Sequence, residues 1–313
     1  MKKLLPLMQR EWLQSRFSWA LMAGIPLVLA LLMIGFGQLG GMRESLDIDN
    51  AAAGVADASP PVAAMLAMAA IAGTTAVMFA IAWLSSLIIV AGIARRDHAD
   101  RSIEFWMSMP ATHAESLAAP LIVHLLLVPA AALFVGVAGG WVISALLVGR
   151  IAGLGAWLSL PWIDIVMGSV SVVGRLLAGL PLATLWLAPL IMLVVLTGAY
   201  FRRWSWPILG VVFGVVAPVL AKVFAQPWLN EVTWGLIGHA GQAMVSGQKS
   251  MVVDSPDKGI EALRALPGWA LQDFGYALRD LGSPLLFGGL LFAAGCFYLL
   301  LLWRQRGAGI AGG

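Results

Sequence analysis

Long apolar runs separated by short polar interruptions make up most of the chain. Six of them reach the roughly 20 residues that an α-helix needs to cross about 30 Å of hydrocarbon. They fall at 18–37, 63–94, 120–148, 184–201, 206–226 and 284–303. The pattern predicts an all-α integral membrane protein with six transmembrane helices, folded as one polytopic domain over 1–313. The second and third runs exceed the length of a crossing, which predicts helices that tilt or protrude.

Two of the polar intervals are long and only partly polar. Residues 149–183 are broken by Arg150, Pro161, Asp164, Arg175 and Pro181, and residues 227–283 carry Trp228, Trp234 and Trp269. Trp favours the lipid–water boundary, so both intervals read as interfacial or re-entrant helices on one face of the membrane. A pair of further spans hidden in 149–183 is the competing reading. Asp164 and Arg175 either line an exit or face water, and water is the favoured reading. Within 259–266 the spacing of Ile260, Leu263 and Leu266 predicts a short helix that breaks at Pro267–Gly268. Residues 38–62, with Asp47, Asp49 and Asp57, form a polar loop on the same face.

The first 17 residues have helical periodicity of their own. Leu4, Leu5, Met8, Trp12 and Leu13 share one face, while Lys3, Arg10 and Gln14 point away. This predicts an interfacial elbow helix that turns into the first span near Phe17–Trp19. Arg10, Glu11 and Arg16 interrupt the apolar stretch a cleavable signal would need, so the first run is expected to stay in the membrane.

Charge sets the orientation. With the N-terminus inside, 11 of the 19 basic residues and 5 of the 16 acidic residues lie on the inner side. Arg202–Arg203 in a very short loop, and Arg304 and Arg306 after the last run, support that placement. Both termini are then cytosolic.

The densest charge sits in 95–119, RRDHADRSIEFWMSMPATHAESLAA. Asp100 is placed to cap a short helix over 101–109. Phe105, Trp106 and Met109 fall on one face of it with Ser102 beside them, and Arg101, Glu104 and Ser108 fall on the other. Pro110 ends that helix. Thr112 and Glu115 then have the spacing of a capping box, which starts the next helix in a defined direction. An exposed aromatic pair beside Met suits either a protein-binding anchor or a ring of residues dipping into headgroups.

Composition narrows the function classes. The chain is 60% hydrophobic and 11% charged, with a mean hydropathy of +0.90. Cys296 is the sole cysteine, which excludes a disulfide framework and reads as a small packed residue. No G-x-x-x-x-G-K-[ST] loop occurs, so ATP hydrolysis by this chain is not expected. His98, His113, His124 and His239 lack metal-site spacing. His124, four residues into the third run, faces either a pathway or a structural hydrogen bond at headgroup level. Lys222 is expected to snorkel. Thr74, Thr75, Ser85 and Ser86 put hydroxyls in the second run and are candidate pathway residues. Gly136/Gly140 and Gly210/Gly214 have the spacing of close helix contacts. Pro26, Pro129, Pro189 and Pro218 predict kinks.

On Asp97, Asp100, Arg101, Ser102, Phe105, Trp106, Ser108, Pro110, Thr112 and Glu115, the chain resembles the first cytosolic loop of bacterial ABC-2-type permeases. The opening QREWLQSRFSW, with its Arg10–Glu11 pair before Trp12, is similar to that family's N-terminal elbow helix. Ala119–Pro120 departs from it, since members often carry a lysine there. The resemblance covers the whole chain in layout and two short stretches in motif. It implies a dimer with a second permease copy or paralogue, joined to two cytosolic ABC ATPase subunits that hold ATP and Mg. It also implies that Asp100, Arg101, Ser102, Glu104, Phe105, Trp106, Ser108, Met109 and Pro110 form a coupling helix, and that the direction is export. The lipid bilayer is the other expected partner, and nucleic acid is not one. A non-transporting scaffold and a secondary transporter are the alternative classes. The lack of intramembrane carboxylates argues against ion-driven transport.

Overall fold

The computed structural model describes residues 4–37, 60–99, 112–201, 204–247 and 259–310. The 95–111 stretch that carries the aromatic pair lies outside the described side chains, as do Arg202 and Arg203. Among the described residues all secondary structure is helical, and six helices are long and apolar enough to cross a membrane.

In chain order the elements are α1 (Leu4–Phe36), α2 (Pro60–Ala99), α3 (His113–Ile122), α4 (Val128–Ile151), α5 (Gly153–Leu158), α6 (Trp162–Phe201), α7 (Ser205–Val211), α8 (Ala217–Lys222), α9 (Trp228–Met244), α10 (Gly259–Arg279) and α11 (Pro284–Ile310). A five-residue π-turn joins α3 to α4 and another joins α7 to α8. Each π-turn ends just before a proline. The Val128 N–H reaches back five residues to the Val123 carbonyl ahead of Pro129, and the Ala217 N–H does the same to Val212 ahead of Pro218. Proline cannot donate, and its ring crowds the carbonyl four residues back. One widened turn relieves both problems without ending the helix. Pro26 and Pro189 instead sit inside unbroken α-helices.

The predicted runs and the observed helices differ in three places. The fourth helix is not confined to 184–201: α6 starts at Trp162 and runs 40 residues, about 60 Å. Its charged residues, Asp164 and Arg175, are paired, as shown below, so they do not interrupt it. The elbow is not separated from the first span, because α1 continues through Phe17–Trp19 as one 33-residue helix. Pro267 does not break 259–266, since α10 carries it in its interior.

Helix directions follow from the contacts. A Cβ at Gly136 would lie 2.7 Å from the Thr75 Cα, and one at Gly140 would lie 2.7 Å from the Ile71 Cα. The first glycine pair therefore sits within the chain's own bundle, where it lets the backbones of α2 and α4 approach closely and antiparallel. Ala63, Ala64, Ala67 and Val148 continue that seam at one end. Ser169 of α6 meets Met68 of α2, and 29 residues further along α6 a Cβ at Gly198 would meet the Ala91 carbonyl, so α6 runs parallel to α2. No atom lies within 4 Å of a Cβ built at Gly210 or Gly214.

The larger core, around fully buried Trp186, joins α2, α3, α6, α9, α10 and α11 and includes buried Cys296. The second joins the far ends of α2, α4 and α6 to α10. There Trp162 stacks on Trp141 at 5.2 Å and meets Trp157 edge-on at 4.6 Å. Glu11, Thr112, Ser205 and Arg304 come to the opposite end, and the connection from α2 to α3 leaves from it.

Candidate functional site

That end is built from the starts of α1 and α3 and the finish of α11. The capping box expected from Thr112 and Glu115 is present. The Glu115 N–H donates to Thr112 Oγ1 at 3.2 Å, and the Thr112 N–H donates to Glu115 Oε2 at 3.0 Å. One turn on, Arg304 of α11 donates to Ser116 Oγ at 2.6 Å and is buried. The last helix is thereby clamped to the first turn of α3.

Of the elbow residues, Glu11 is buried, Arg10 is half-buried and Trp12 is exposed. Of the apolar face expected to lie along the membrane surface, Leu5, Trp12 and Leu13 are exposed, whereas Leu4 and Met8 are half-buried and Met8 packs against the bundle. Leu7, Met8, Glu11, Ser15 and Trp19 form the packed face. Glu11 meets His124, with 3.9 Å between Oε2 and Nε2, and the Trp19 ring lies 5.7 Å from the His124 ring. Trp19 Nε1 donates to Ser15 Oγ, whose hydroxyl donates to the Glu11 carbonyl. His124 sits in the π-turn, which carries it into the α1 contact.

The far end holds a buried ion pair that is not legible as a pair in the sequence. Arg175 of α6 is buried, not in water. Its Nε donates to Asp273 Oδ2 at 2.8 Å, Nη2 lies 2.8 Å from the same oxygen, and Nη1 donates to the Ala243 carbonyl at 2.9 Å. Asp273 of α10 also accepts from the Ser246 N–H and hydroxyl. A Cβ at Gly179 would strike the Ala243 carbonyl, so that glycine allows α9 to approach. Arg175, Ala243, Ser246 and Asp273 thus tie three elements together. The available signal was that Arg175 is the only basic residue between Arg150 and Arg202. Asp164 is likewise paired, with Arg264 at 3.1 Å.

Between α2, α6, α7 and α9 lies a cavity of about 510 Å³. Phe79, Trp83, Leu87, Ile191, Trp206 and Met244 are among its lining residues. Its walls are apolar, as in sites for apolar ligands. None of Thr74, Thr75, Ser85, Ser86 or His124 lines it. Thr75 and Ser86 are buried, and Thr75 lies in the α2–α4 seam. Thr75 and Ser85 donate to the carbonyls of Ile71 and Ile81 in their own helix. Among the described residues no group of acidic, His and Cys side chains has the arrangement of a metal site.

Compared with known proteins, the chain matches no family model, no curated protein and no solved structure.

Proposed function

We propose that this chain is the transmembrane permease subunit of an ATP-driven exporter of the ABC-2 type. It works at a bacterial inner membrane with both termini cytosolic, as a dimer with a second copy or a paralogue. ATP and Mg are held by separate ATPase subunits. Residues 100–110 form the coupling helix, with Phe105 and Trp106 as its anchors on the ATPase.

The observation that carries this reading is the rigid seam behind the loop. Residues 100–111 join the end of α2 to the capped start of α3, and α2 and α4 are packed backbone to backbone at Gly136 and Gly140. A force on the loop would therefore move both helices together and would not be lost in side-chain rearrangement. An ordinary tether between two spans needs neither the cap nor the seam. The 510 Å³ apolar cavity between α2 and α6 supports a hydrophobic or amphipathic cargo, because it offers no polar groups to replace the hydration shell of an ion.

Transport by the permease–ATPase complex in sealed vesicles tests the function. ATP-dependent movement of an amphipathic fluorescent probe is expected. Movement of only small hydrophilic ions, or movement without ATP, would overturn the reading.

A further inference from the structure

Helix α1 is held firmly to the bundle at its ends and packs only partly against it between them. At the inner end Leu7 and Glu11 are buried, with Glu11 against His124. Toward the other end, Leu27 packs where a Cβ at Gly139 would sit, and Arg150 donates to the carbonyls of Ile34 and Gly35. In between, no residue of α1 is buried. The gap against α2 and α4 is a crevice of about 250 Å³. Small side chains make the room, among them Ala23 of α1 and Ala132 of α4, with Met78 of α2 as a wall.

We propose that this crevice binds one acyl chain of an anionic glycerophospholipid, whose phosphate is held by Arg16. Three observations converge on that occupant. The α1 residues lining the crevice run from Trp12 to Ala23, about 17 Å of helix. That is close to half of a roughly 30 Å hydrocarbon core, the depth of a single leaflet. The walls beyond the mouth are apolar, which suits a chain and excludes a hydrated ligand. The mouth, at the end of the molecule where Glu11 and Thr112 lie, carries Arg16 between Trp12 and Trp19.

Arg16 is exposed and forms no ion pair with a described residue, and its guanidinium lies 5.0 Å from the centroid of the Phe17 ring. A guanidinium at the polar boundary of an apolar slot matches a phosphodiester, which it can grip through two N–H groups. Amphipathic indoles favour the same depth. The bound lipid would fill the space between α1 and the α2–α4 seam and so complete the packing of the first helix. The inference needs only that the chain spans a membrane, and does not depend on the exporter reading.

Retention of lipid by purified protein, read by native mass spectrometry, tests it. Protein equilibrated with equal amounts of phosphatidylglycerol and phosphatidylcholine is expected to keep one phosphatidylglycerol in preference. Arg16→Gln is expected to reduce that preference about fivefold, the equivalent of one basic residue acting on an anionic headgroup, and Arg16→Lys to keep most of it. Ala132→Phe, which fills the crevice, is expected to abolish retention of either lipid. Ala23→Phe replaces it should that variant not fold. Equal retention of the two lipids by the unaltered protein would overturn the proposal. So would undiminished preference in Arg16→Gln, or undiminished retention in a folded crevice-filling variant.

Discussion

Arg175 and Asp273, 98 residues apart, meet at 2.8 Å in a site where both side chains are almost fully buried. The pair fixes α10 against α6, and through Ala243 and Ser246 it also fixes the end of α9. Removing one partner leaves the other charge buried without compensation, which costs about 3–5 kcal/mol. Asp273→Ala should therefore lower the midpoint of thermal unfolding in detergent markedly. Replacing both residues with Met and Leu should recover much of the loss, because the buried charge is then gone from both sides.

The two glycine pairs should respond oppositely. Gly136→Ala places a methyl 2.7 Å from the Thr75 Cα, which is backbone that cannot step aside, and overpacking of this kind costs about 1–3 kcal/mol. Gly210→Ala enters open space and gains helix propensity, so it should be neutral or stabilising by up to about 1 kcal/mol. Unfolding midpoints of the two variants, measured side by side, check this.

Thr112→Ala should fray the start of α3. The cap hydroxyl accepts from the Glu115 N–H, and its loss typically costs about 1 kcal/mol. Hydrogen exchange should quicken at the first-turn amides of α3 and stay unchanged in α4. Faster exchange throughout both helices would mean that the box does more than start the helix.

Leu7→Ala removes a buried contact that docks the first turns of α1. A substitution of this type in a packed site costs about 2–5 kcal/mol. The loss should appear locally, as faster proteolysis within 4–15, while the core around Trp186 keeps its protection.

Hydropathy made the six spans legible because a crossing helix must be apolar over a fixed length, whichever neighbours it has. The Thr112–Glu115 box was legible because capping is local, and the Gly136/Gly140 pair was visible as a spacing, though not as the α2–α4 contact. The rest depends on partners distant in sequence. Arg175 and Asp273 each look like a break in an apolar segment, and only their meeting lets α6 continue from Trp162 through Arg175 into the span. In the same way, nothing in the spacing of α1 pairs Glu11 with His124, 113 residues on. In an apolar surrounding the exposed face of a helix can be the greasy one, so Trp12 and Leu13 point outward while Glu11 turns in to His124. The hydroxyls of Thr75 and Ser85 looked available for a pathway, but their own helix carbonyls accept from them.

The central claim is that an ATPase grips the 100–110 loop through Phe105 and Trp106. Affinity purification of the tagged chain from its native membrane, with ATP hydrolysis measured on the eluate, tests it most directly. The unaltered chain is predicted to bring down an ABC ATPase and its activity. Phe105→Ala combined with Trp106→Ala is predicted to reduce both by at least about tenfold, as expected for two aromatic anchors. An eluate without an ATPase, or one whose ATPase content and activity are the same with and without the two aromatic rings, would contradict the account.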